Sequence, residues 1–424
     1  MLNKKTPITW ILSAYFAMGF PFIFIAQVSS VMYKNLGIND VQITFWTGLL
    51  ILPWSLKPFW SPFLEIFRYK KYIVVIAQFI VALTFIFVAL SLPLDGFFRY
   101  SIALLAIIAF MGSTNDIATD GLYINVLDPI TQAKYIGWQG AFYNIAKIIA
   151  AGPLIYLAGS LQNQLGAVKA WEITMVVFAV LMFVLSLYHL LVLPKEEANN
   201  LQDKSFKQSF GVFKDVVITF FKKKHIIWFI VFIIFYRFAE GFAIKIAPLF
   251  SISAISAGGL GLSTEQYSLI YGTFGTAAFV FGSIGGGYFI AKRGLRNARM
   301  VLVSCFNIPF AVYAYLAFTQ TQNYYVISSC VVLEYFGYGF GFVGLILFMM
   351  QQVAPGKYKM AHYAFATSIM NLGFMFPSML SGYFSDLLGY KWFFIAVLFA
   401  TIPAFLVTYF VPYRYSDNKI DNKS

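Results

Sequence analysis

The chain has 424 residues, of which 60% are apolar, 20% aromatic and only 11% charged, and its mean hydropathy is +0.75. So few charged side chains cannot cover a surface that faces water, so the composition excludes a soluble globular protein and indicates one embedded in a lipid bilayer. The net charge of +13 suggests a nucleic acid at first sight, but the positions of the basic residues point to membrane topology instead, and no nucleic acid is expected as a partner.

Runs of about 20 or more mostly apolar residues, long enough for helices that cross a hydrocarbon core about 30 Å thick, follow one another along the chain. In the first half they cover residues 10–33, 41–60, 72–92, 101–126, 135–161 and 171–193. In the second half they cover residues 225–251, 266–291, 299–319, 323–352, 360–384 and 391–412. The sequence therefore predicts an all-α membrane protein with twelve transmembrane helices in two pseudosymmetric six-helix bundles.

One long connection separates the two sets of spans. Residues 194–224 are polar at the start and amphipathic after Lys204. We expect an N-terminal bundle over residues 1–193, a partly amphipathic cytoplasmic linker over residues 194–224, and a C-terminal bundle with a short cytoplasmic tail over residues 225–424. The other loops are too short to hold a soluble catalytic or signalling domain.

Lysine and arginine are divided unequally between the two sides of the predicted membrane. If the amino terminus lies in the cytoplasm, the inner loops carry twenty-two of these residues and the outer loops carry four. Such a bias follows the positive-inside rule. It predicts a multi-pass protein of the bacterial inner membrane with both termini in the cytoplasm.

The second half repeats the first at an offset of about 224 residues. The pattern Phe16-Ala17-x-Gly19-Phe20 recurs as Phe238-Ala239-x-Gly241-Phe242. The charges inside the spans do not recur, and they are Asp116, Asp120, Lys147, Arg237, Glu240 and Lys245. A duplicated scaffold whose ionisable groups are not duplicated is the pattern expected of a transport site in a pseudosymmetric membrane protein.

Two carboxylates in the fourth span are the candidates for proton coupling. Asp116 and Asp120 are four residues apart and therefore share one helical face. Two poorly solvated carboxylates this close disfavour double ionisation, so the pair is expected to bind and release a proton. The alternative is a structural ion pair, for example of Asp116 with Lys147 on the neighbouring helix. Both interpretations can hold in different conformational states.

Span seven carries the charges that suit an anionic solute. Arg237, Glu240 and Lys245 lie within an arc of about 140°, which we expect to face a cavity because lipid would penalise these charges. Arginine and lysine there suit an anionic group. The other candidates for substrate binding are polar residues that could equally bond neighbouring helices, namely Tyr123, Gln139, Asn144, Lys147, Glu334, Tyr338 and Asn371.

Three further charges lie near span ends. Lys57 and Glu65 at the cytoplasmic end of span two, and Asp386 near the periplasmic end of span eleven, are expected to form gate or interface salt bridges. No metal or other cofactor is expected, because the three histidines and two cysteines show no ligand spacing.

Two segments resemble a known transporter family. Residues 52–65, LPWSLKPFWSPFLE, are similar to the L-P-Y-x-x-K-F-x-W-A-P-L-x-D segment of AmpG-type permeases. Residues 113–121, STNDIATDG, resemble that family's S-A-x-Q-D-I-A-x-D-A stretch. The chain departs from the family at Leu122 and Tyr123, where a Tyr-Arg pair is usual, and at Asn115, where glutamine is usual. These departures bear on the choice of solute.

The resemblance has implications for fold, activity and site. AmpG-type permeases belong to the major facilitator superfamily and carry anhydro-muropeptides, which are peptidoglycan fragments, from the periplasm to the cytoplasm with the proton gradient. By this resemblance, Asp116 and Asp120 match motif carboxylates, whereas Lys57 and Glu65 match the gate-forming segment.

The sequence as a whole predicts a monomeric secondary active transporter whose partners are a small-molecule solute, protons and the lipid bilayer. The expected activity is proton-coupled import of a bulky polar or anionic solute such as an anhydro-muropeptide. Import of a siderophore or an oligosaccharide, facilitated diffusion without protons, and coupling to sodium are the alternatives. An enzyme is not expected, because the scattered histidines belong to no catalytic motif, and the absence of a Walker A segment argues against ATP-driven transport.

Overall fold

The computed structural model describes residues 6–65, 69–127, 129–195, 206–356 and 358–413. The helices of the first half are α1 (Pro7–Ile23), α2 (Ser29–Asn35), α3 (Asp40–Leu49), α4 (Leu52–Glu65), α5 (Lys70–Ser91), α6 (Phe97–Val126), α7 (Pro129–Ala151), α8 (Pro153–Leu165) and α9 (Ala167–Val192). One helix, α10 (Phe206–Phe221), lies in the predicted linker.

The helices of the second half are α11 (Ile226–Tyr236), α12 (Phe238–Ile252), α13 (Thr264–Tyr267), α14 (Thr276–Arg293), α15 (Leu295–Asn307), α16 (Ala311–Thr319), α17 (Tyr324–Phe348), α18 (Lys359–Ala400) and α19 (Ile402–Phe410). The part of the chain that the structure describes contains no strand.

Ten stretches of the described residues are long and apolar enough to cross a membrane. One of them, residues 361–410, contains two helices, because Gly389 interrupts α18 with φ of 69° and ψ of 157°. α3 and α4 cover the residues of the remaining predicted span, 41–60. The all-α membrane fold is thereby confirmed, and the helices fit the predicted twelve spans.

Several spans contain an interruption next to a proline. Pro21 lies inside α1, and the first span passes into a π-helical turn over Phe24–Val28 shortly after it. Proline lacks the N–H that a regular helix needs and clashes with the preceding turn, which accounts for a local change of helical geometry. Pro153 similarly begins a new helix, α8, after Gly152.

Packing divides the chain into two compact units. Unit 1 comprises Met1–Asn39, Trp46–Lys214 and Ser263–Ser268, and unit 2 comprises Asp40–Phe45, Asp215–Leu262 and Leu269–Ser424. Each unit therefore contains the spans of one half of the sequence together with a six-residue segment from the other half.

Aromatic side chains pack around the first span in the core of unit 1. The ring of Phe24 lies 4.9 Å from that of Phe85 and 5.0 Å from that of Phe178. Gly19 lets α1 approach α7 closely, because a Cβ at this position would lie 2.8 Å from the carbonyl oxygen of Tyr143. The close approach holds α7 beside α1 and brings Tyr143 into the interior of the unit.

Unit 2 depends on small residues along α17. Gly339 faces the backbone of Phe279 on α14, and Gly341 faces the backbone of Leu302 on α15, so that neither position has room for a Cβ. Without a hydrophobic driving force between helices in lipid, close backbone contact of this kind supplies the van der Waals attraction. α17 is therefore held between α14 and α15.

Candidate functional site

The two carboxylates of α6 lie in unit 1 and have different surroundings. α6 is uninterrupted between Phe97 and Val126, so Asp116 and Asp120 share one face. Asp116 is only 3% exposed, whereas Asp120 is exposed. One carboxylate is enclosed by protein, and the other remains accessible.

Asp116 is held by two side chains of α4. Trp54 donates its indole N–H to Oδ2 of Asp116 at 2.9 Å. The ammonium group of Lys57 forms an ion pair and a hydrogen bond with the same oxygen. The other oxygen, Oδ1, is buried and has no hydrogen-bond partner among the residues that the structure describes. This carboxylate therefore has an unused acceptor inside the protein.

Asp116 does form an ion pair, but with Lys57 and not with Lys147, the partner given as the example for the alternative interpretation. Lys147 instead places its ammonium group over the ring of Tyr143, 4.9 Å from the ring centroid. Lys57 pairs with Asp116 because it lies one turn after Trp54 on α4, a helix that packs against α6. Lys57 was expected to form a gate or interface salt bridge, and the partner that the structure gives it lies within unit 1.

Asp120 has a tyrosine as its hydrogen-bond donor. The hydroxyl of Tyr15 on α1 donates to Oδ1 of Asp120 at 2.8 Å. Tyr123, one turn further along α6, is buried and packs edge-on against Tyr15, with ring centroids 6.0 Å apart. Tyr15 and Tyr123 therefore both lie close to Asp120.

A buried polar network beside Asp116 was missed by the sequence analysis. Nδ1 of His189 lies 2.6 Å from Oε1 of Gln78, and Nε2 of the same ring lies 3.0 Å from the hydroxyl oxygen of Ser13. Gln78 in turn donates to Oδ1 of Asn115 at 3.1 Å. His189 had been set aside because it showed no ligand spacing. The available signal was the presence of Gln78 and Asn115 inside apolar spans, where a polar side chain needs a partner.

The corresponding cluster of unit 2 is built around an interruption of span seven. Arg237 separates α11 from α12 with φ of −102° and ψ of 4°. Its guanidinium donates to both oxygens of Glu240, with Nε–Oε2 and Nη2–Oε1 distances of 2.6 Å. Tyr338 donates its hydroxyl to Oε1 of Glu240 at 2.9 Å. We call Arg237, Glu240 and Tyr338 the arginine cluster.

Two aromatic rings complete the surroundings of Arg237. The guanidinium carbon lies 4.8 Å from the ring centroid of Phe374 and 5.3 Å from that of Phe342. Cation–π contacts and a two-point carboxylate contact are both well suited to a planar guanidinium. In this conformation the charge of Arg237 is therefore compensated within unit 2.

Glu334 of α17 is buried at 1% exposure and accepts a hydrogen bond from the hydroxyl of Tyr313 at 3.0 Å. Lys245 of α12 is also buried. Asn144 donates to the carbonyl of Gly140 one turn back on its own helix, and Gln139 and Asn371 are half-buried. Asp386 is exposed, and the side chain of Glu65 lies outside the described part of the structure.

Two compact helical units, each with ionisable side chains buried among helices long and apolar enough to cross a membrane, are typical of membrane transporters. The chain belongs to the major facilitator superfamily, whose family model matches residues 9–361.

"Putative transporter AmpG 4" of Rickettsia felis is among the proteins of similar sequence. It is 24% identical over 406 residues, and the alignment covers 92% of this chain and 92% of the relative. A protein of Haemophilus influenzae is 25% identical over 425 residues, with 95% of this chain and 94% of the relative covered. The resemblance to AmpG-type transporters therefore extends over nearly the whole chain.

Solved structures show the same fold. A D-xylose–proton symporter matches with a TM-score of 0.75 at 12% identity and covers 96% of this chain and 97% of its own. The nucleoside transporter NupG matches with a TM-score of 0.71 at 15% identity and covers 97% of this chain and 100% of its own. At such identities the similarity establishes the fold alone.

Proposed function

We propose that this protein is a secondary active transporter that couples the inward movement of protons to the import of a bulky polar or anionic solute. A peptidoglycan fragment such as an anhydro-muropeptide is the proposed solute. The relatives named AmpG and the segments at residues 52–65 and 113–121 support this solute class. The unequal distribution of lysine and arginine supports a multi-pass protein of the bacterial inner membrane with both termini in the cytoplasm, and we propose that it imports the solute as a monomer.

The observation that carries the proposal is the ion pair between Lys57 and Asp116. Protonation of Asp116 would remove the negative charge that holds the ammonium of Lys57. The freed ammonium could then bind an anionic group of the solute, so proton binding and solute binding would favour each other. Asp120 is exposed on the same helical face and offers a route by which a proton can reach the buried carboxylate.

The arginine cluster supplies a second cation that a carboxylate holds. The guanidinium of Arg237 contacts Glu240 at two points, and a carboxylate of the solute would have the same planar, two-oxygen geometry. We infer that the solute competes with Glu240 for Arg237. Tyr338, which already donates to Glu240, is then available to the solute as well.

Uptake into proteoliposomes tests the proposal. The purified protein is supplied with labelled anhydro-muropeptides, oligosaccharides or siderophores, each with an inward proton gradient, an inward sodium gradient or no gradient. We expect anhydro-muropeptides to accumulate, and we expect the proton gradient, but not the sodium gradient, to increase that accumulation. Equal uptake with and without gradients would identify a facilitator, and accumulation of another solute class would overturn the assignment of the solute while leaving coupling in place.

A further inference from the structure

Glu334 is a carboxylate in the interior of unit 2 with half of its hydrogen-bonding capacity unused. It lies in the middle of α17 and is 1% exposed. Oε2 accepts a hydrogen bond from the hydroxyl of Tyr313 at 3.0 Å. Oε1 is buried and has no hydrogen-bond partner within the described ranges.

Among the described residues, the groups that face Glu334 provide no positive charge for it. Tyr313 of α16 is its donor, and the charge that acts on it is that of Glu240 on α12, another carboxylate. Tyr338, on the same face of α17, is close to both Glu334 and Glu240. Tyr271 and Tyr335, whose rings are 6.0 Å apart, lie close to the hydroxyl of Tyr313.

The guanidinium of Arg237, in the arginine cluster, is already paired with Glu240. Arg237 directs two hydrogen bonds to Glu240, and in the described part of the chain no lysine or arginine forms an ion pair with Glu334. An isolated carboxylate in a protein interior carries a large desolvation penalty, which protonation removes. The neutral acid requires only the contact that Tyr313 already makes.

We propose that Glu334 is a proton-binding site of unit 2, separate from Asp116 and Asp120, that carries a proton during transport. Oε1 receives the proton from water on the periplasmic side, and the carboxylic acid returns it to water on the cytoplasmic side. Loss of the proton places a second negative charge close to the arginine cluster. Arg237 can then turn from Glu240 toward Glu334, which links the proton on Glu334 to the cation proposed to hold the solute.

This inference rests on the proposed proton-coupled import, so its experiment has one readout that needs no solute. Infrared spectroscopy of the purified full chain in liposomes detects the carbonyl stretch of a protonated carboxylic acid, and its shift in heavy water identifies the group as exchangeable. Wild-type protein is compared with Glu334→Gln, which keeps an oxygen for Tyr313, and with the control Glu172→Gln, whose pair with the exposed Lys169 takes no part in the site. We expect the band at neutral pH in the wild type and the control, and its loss in Glu334→Gln.

The second readout is transport by the same liposomes. We expect Glu334→Gln to exchange labelled for unlabelled anhydro-muropeptide across the membrane at close to the wild-type rate, because exchange needs no net proton movement. Accumulation driven by the proton gradient should fall by at least tenfold in this variant and remain unchanged in Glu172→Gln. Retained exchange also shows that the variant has folded.

The outcomes are distinguishable. A wild-type spectrum in which no protonated-acid band depends on Glu334 overturns this inference, and proton-driven accumulation in the wild type would then leave the proposed function standing. Wild-type accumulation by Glu334→Gln excludes Glu334 as the carrier of the transported proton. If wild-type protein shows the band but no response to the gradient, the proposed function fails, and the role of Glu334 in transport fails with it.

Discussion

Lys57 of α4 and Asp116 of α6 form an ion pair inside unit 1, and Trp54, one turn before Lys57, donates to the same carboxylate oxygen. The lysine side chain keeps 25% of its surface exposed, whereas the carboxylate keeps 4%. The pair thus joins an accessible cation to an enclosed anion. A change in the charge of Asp116 is therefore felt directly by a partly exposed group.

Replacement of Asp116 by asparagine should remove the response of uptake to a proton gradient. Asparagine can accept the indole N–H of Trp54, but it carries no charge and binds no proton. We expect gradient-driven accumulation to fall on the order of tenfold, within the range of coupling between linked sites, while exchange persists. Proteoliposome uptake with and without the gradient measures the effect.

The matched control for that substitution is Asp95→Asn, since Asp95 is exposed outside the helices. It should retain the full response to the gradient. Full proton-driven uptake by Asp116→Asn would exclude Asp116 from the coupling scheme.

The Lys57–Asp116 pair should behave non-additively in unfolding experiments. Lys57→Met leaves a buried carboxylate without its cation, which costs about 3–5 kcal/mol for buried pairs. Adding Asp116→Asn removes that uncompensated charge, so the double variant should be more stable than Lys57→Met alone. Thermal unfolding of the three variants in detergent gives the coupling free energy of the pair.

An exposed ion pair provides the comparison. Lys169 and Glu172 lie 2.5 Å apart with 61% of the lysine side chain exposed, and pairs of this kind contribute about 0–1 kcal/mol. Lys169→Met should therefore hardly change the unfolding temperature. Strict additivity of Lys57→Met and Asp116→Asn would show that the pair does not act as a unit.

Arg237→Lys should weaken solute binding although it preserves the charge. Lysine cannot reproduce the two parallel hydrogen bonds that the guanidinium makes with Glu240, nor can it stack its charge on Phe374 in the same way. We expect the apparent KM for uptake to rise about tenfold, equivalent to about 1.4 kcal/mol, with a smaller change in maximal rate.

Arg293→Lys is the corresponding control, because Arg293 is exposed at the end of α14, where its guanidinium lies over the ring of Phe289. Its uptake kinetics should match the wild type. An unchanged KM in Arg237→Lys would argue that the solute does not bind this cation.

Two glycines of α14 should respond in opposite ways to replacement by alanine. A Cβ at Gly282 would collide with the backbone of Phe336, whereas nothing lies within 4 Å of a Cβ at Gly287. Gly282→Ala should lower the free energy of unfolding by about 1–3 kcal/mol, the cost of overpacking. Gly287→Ala should be neutral or stabilising by up to about 1 kcal/mol, because alanine favours the helix.

Thermal unfolding of both purified variants in detergent tests this pair. If Gly282→Ala were as stable as Gly287→Ala, close contact between α14 and α17 would not be what holds unit 2 together.

The positions of the spans were accessible from sequence because a helix in lipid satisfies its own backbone and needs only length and apolar side chains. The predicted span 72–92 corresponds to α5, Lys70–Ser91, and the predicted span 323–352 to α17 with the π-helical turn after it. The shared face of Asp116 and Asp120 was accessible for the same reason, since it depends only on the period of one helix.

The partners of these side chains could not be predicted from sequence, because the packing of the helices decides which side chains come into contact. The sequence offered Lys147 on the neighbouring helix as a partner for Asp116 and placed Lys57 at the cytoplasmic end of span two, but the packing of α4 against α6 makes Lys57 the partner. The placement of residues 40–45 in unit 2 and of residues 263–268 in unit 1 likewise follows from tertiary contacts. Glu334 could be recognised as a membrane carboxylate from sequence, but its lack of a cation could not.

The local pattern of apolar and charged residues thus determined that this protein is a helical membrane transporter and which spans carry charge. The tertiary structure decided which of those charges compensate one another. The physical reason is that hydropathy and helical period act over one or two turns of a single helix. Ion pairs such as Arg237 with Glu240 lie within that range, whereas Lys57 with Asp116 requires two helices to be packed in one particular register.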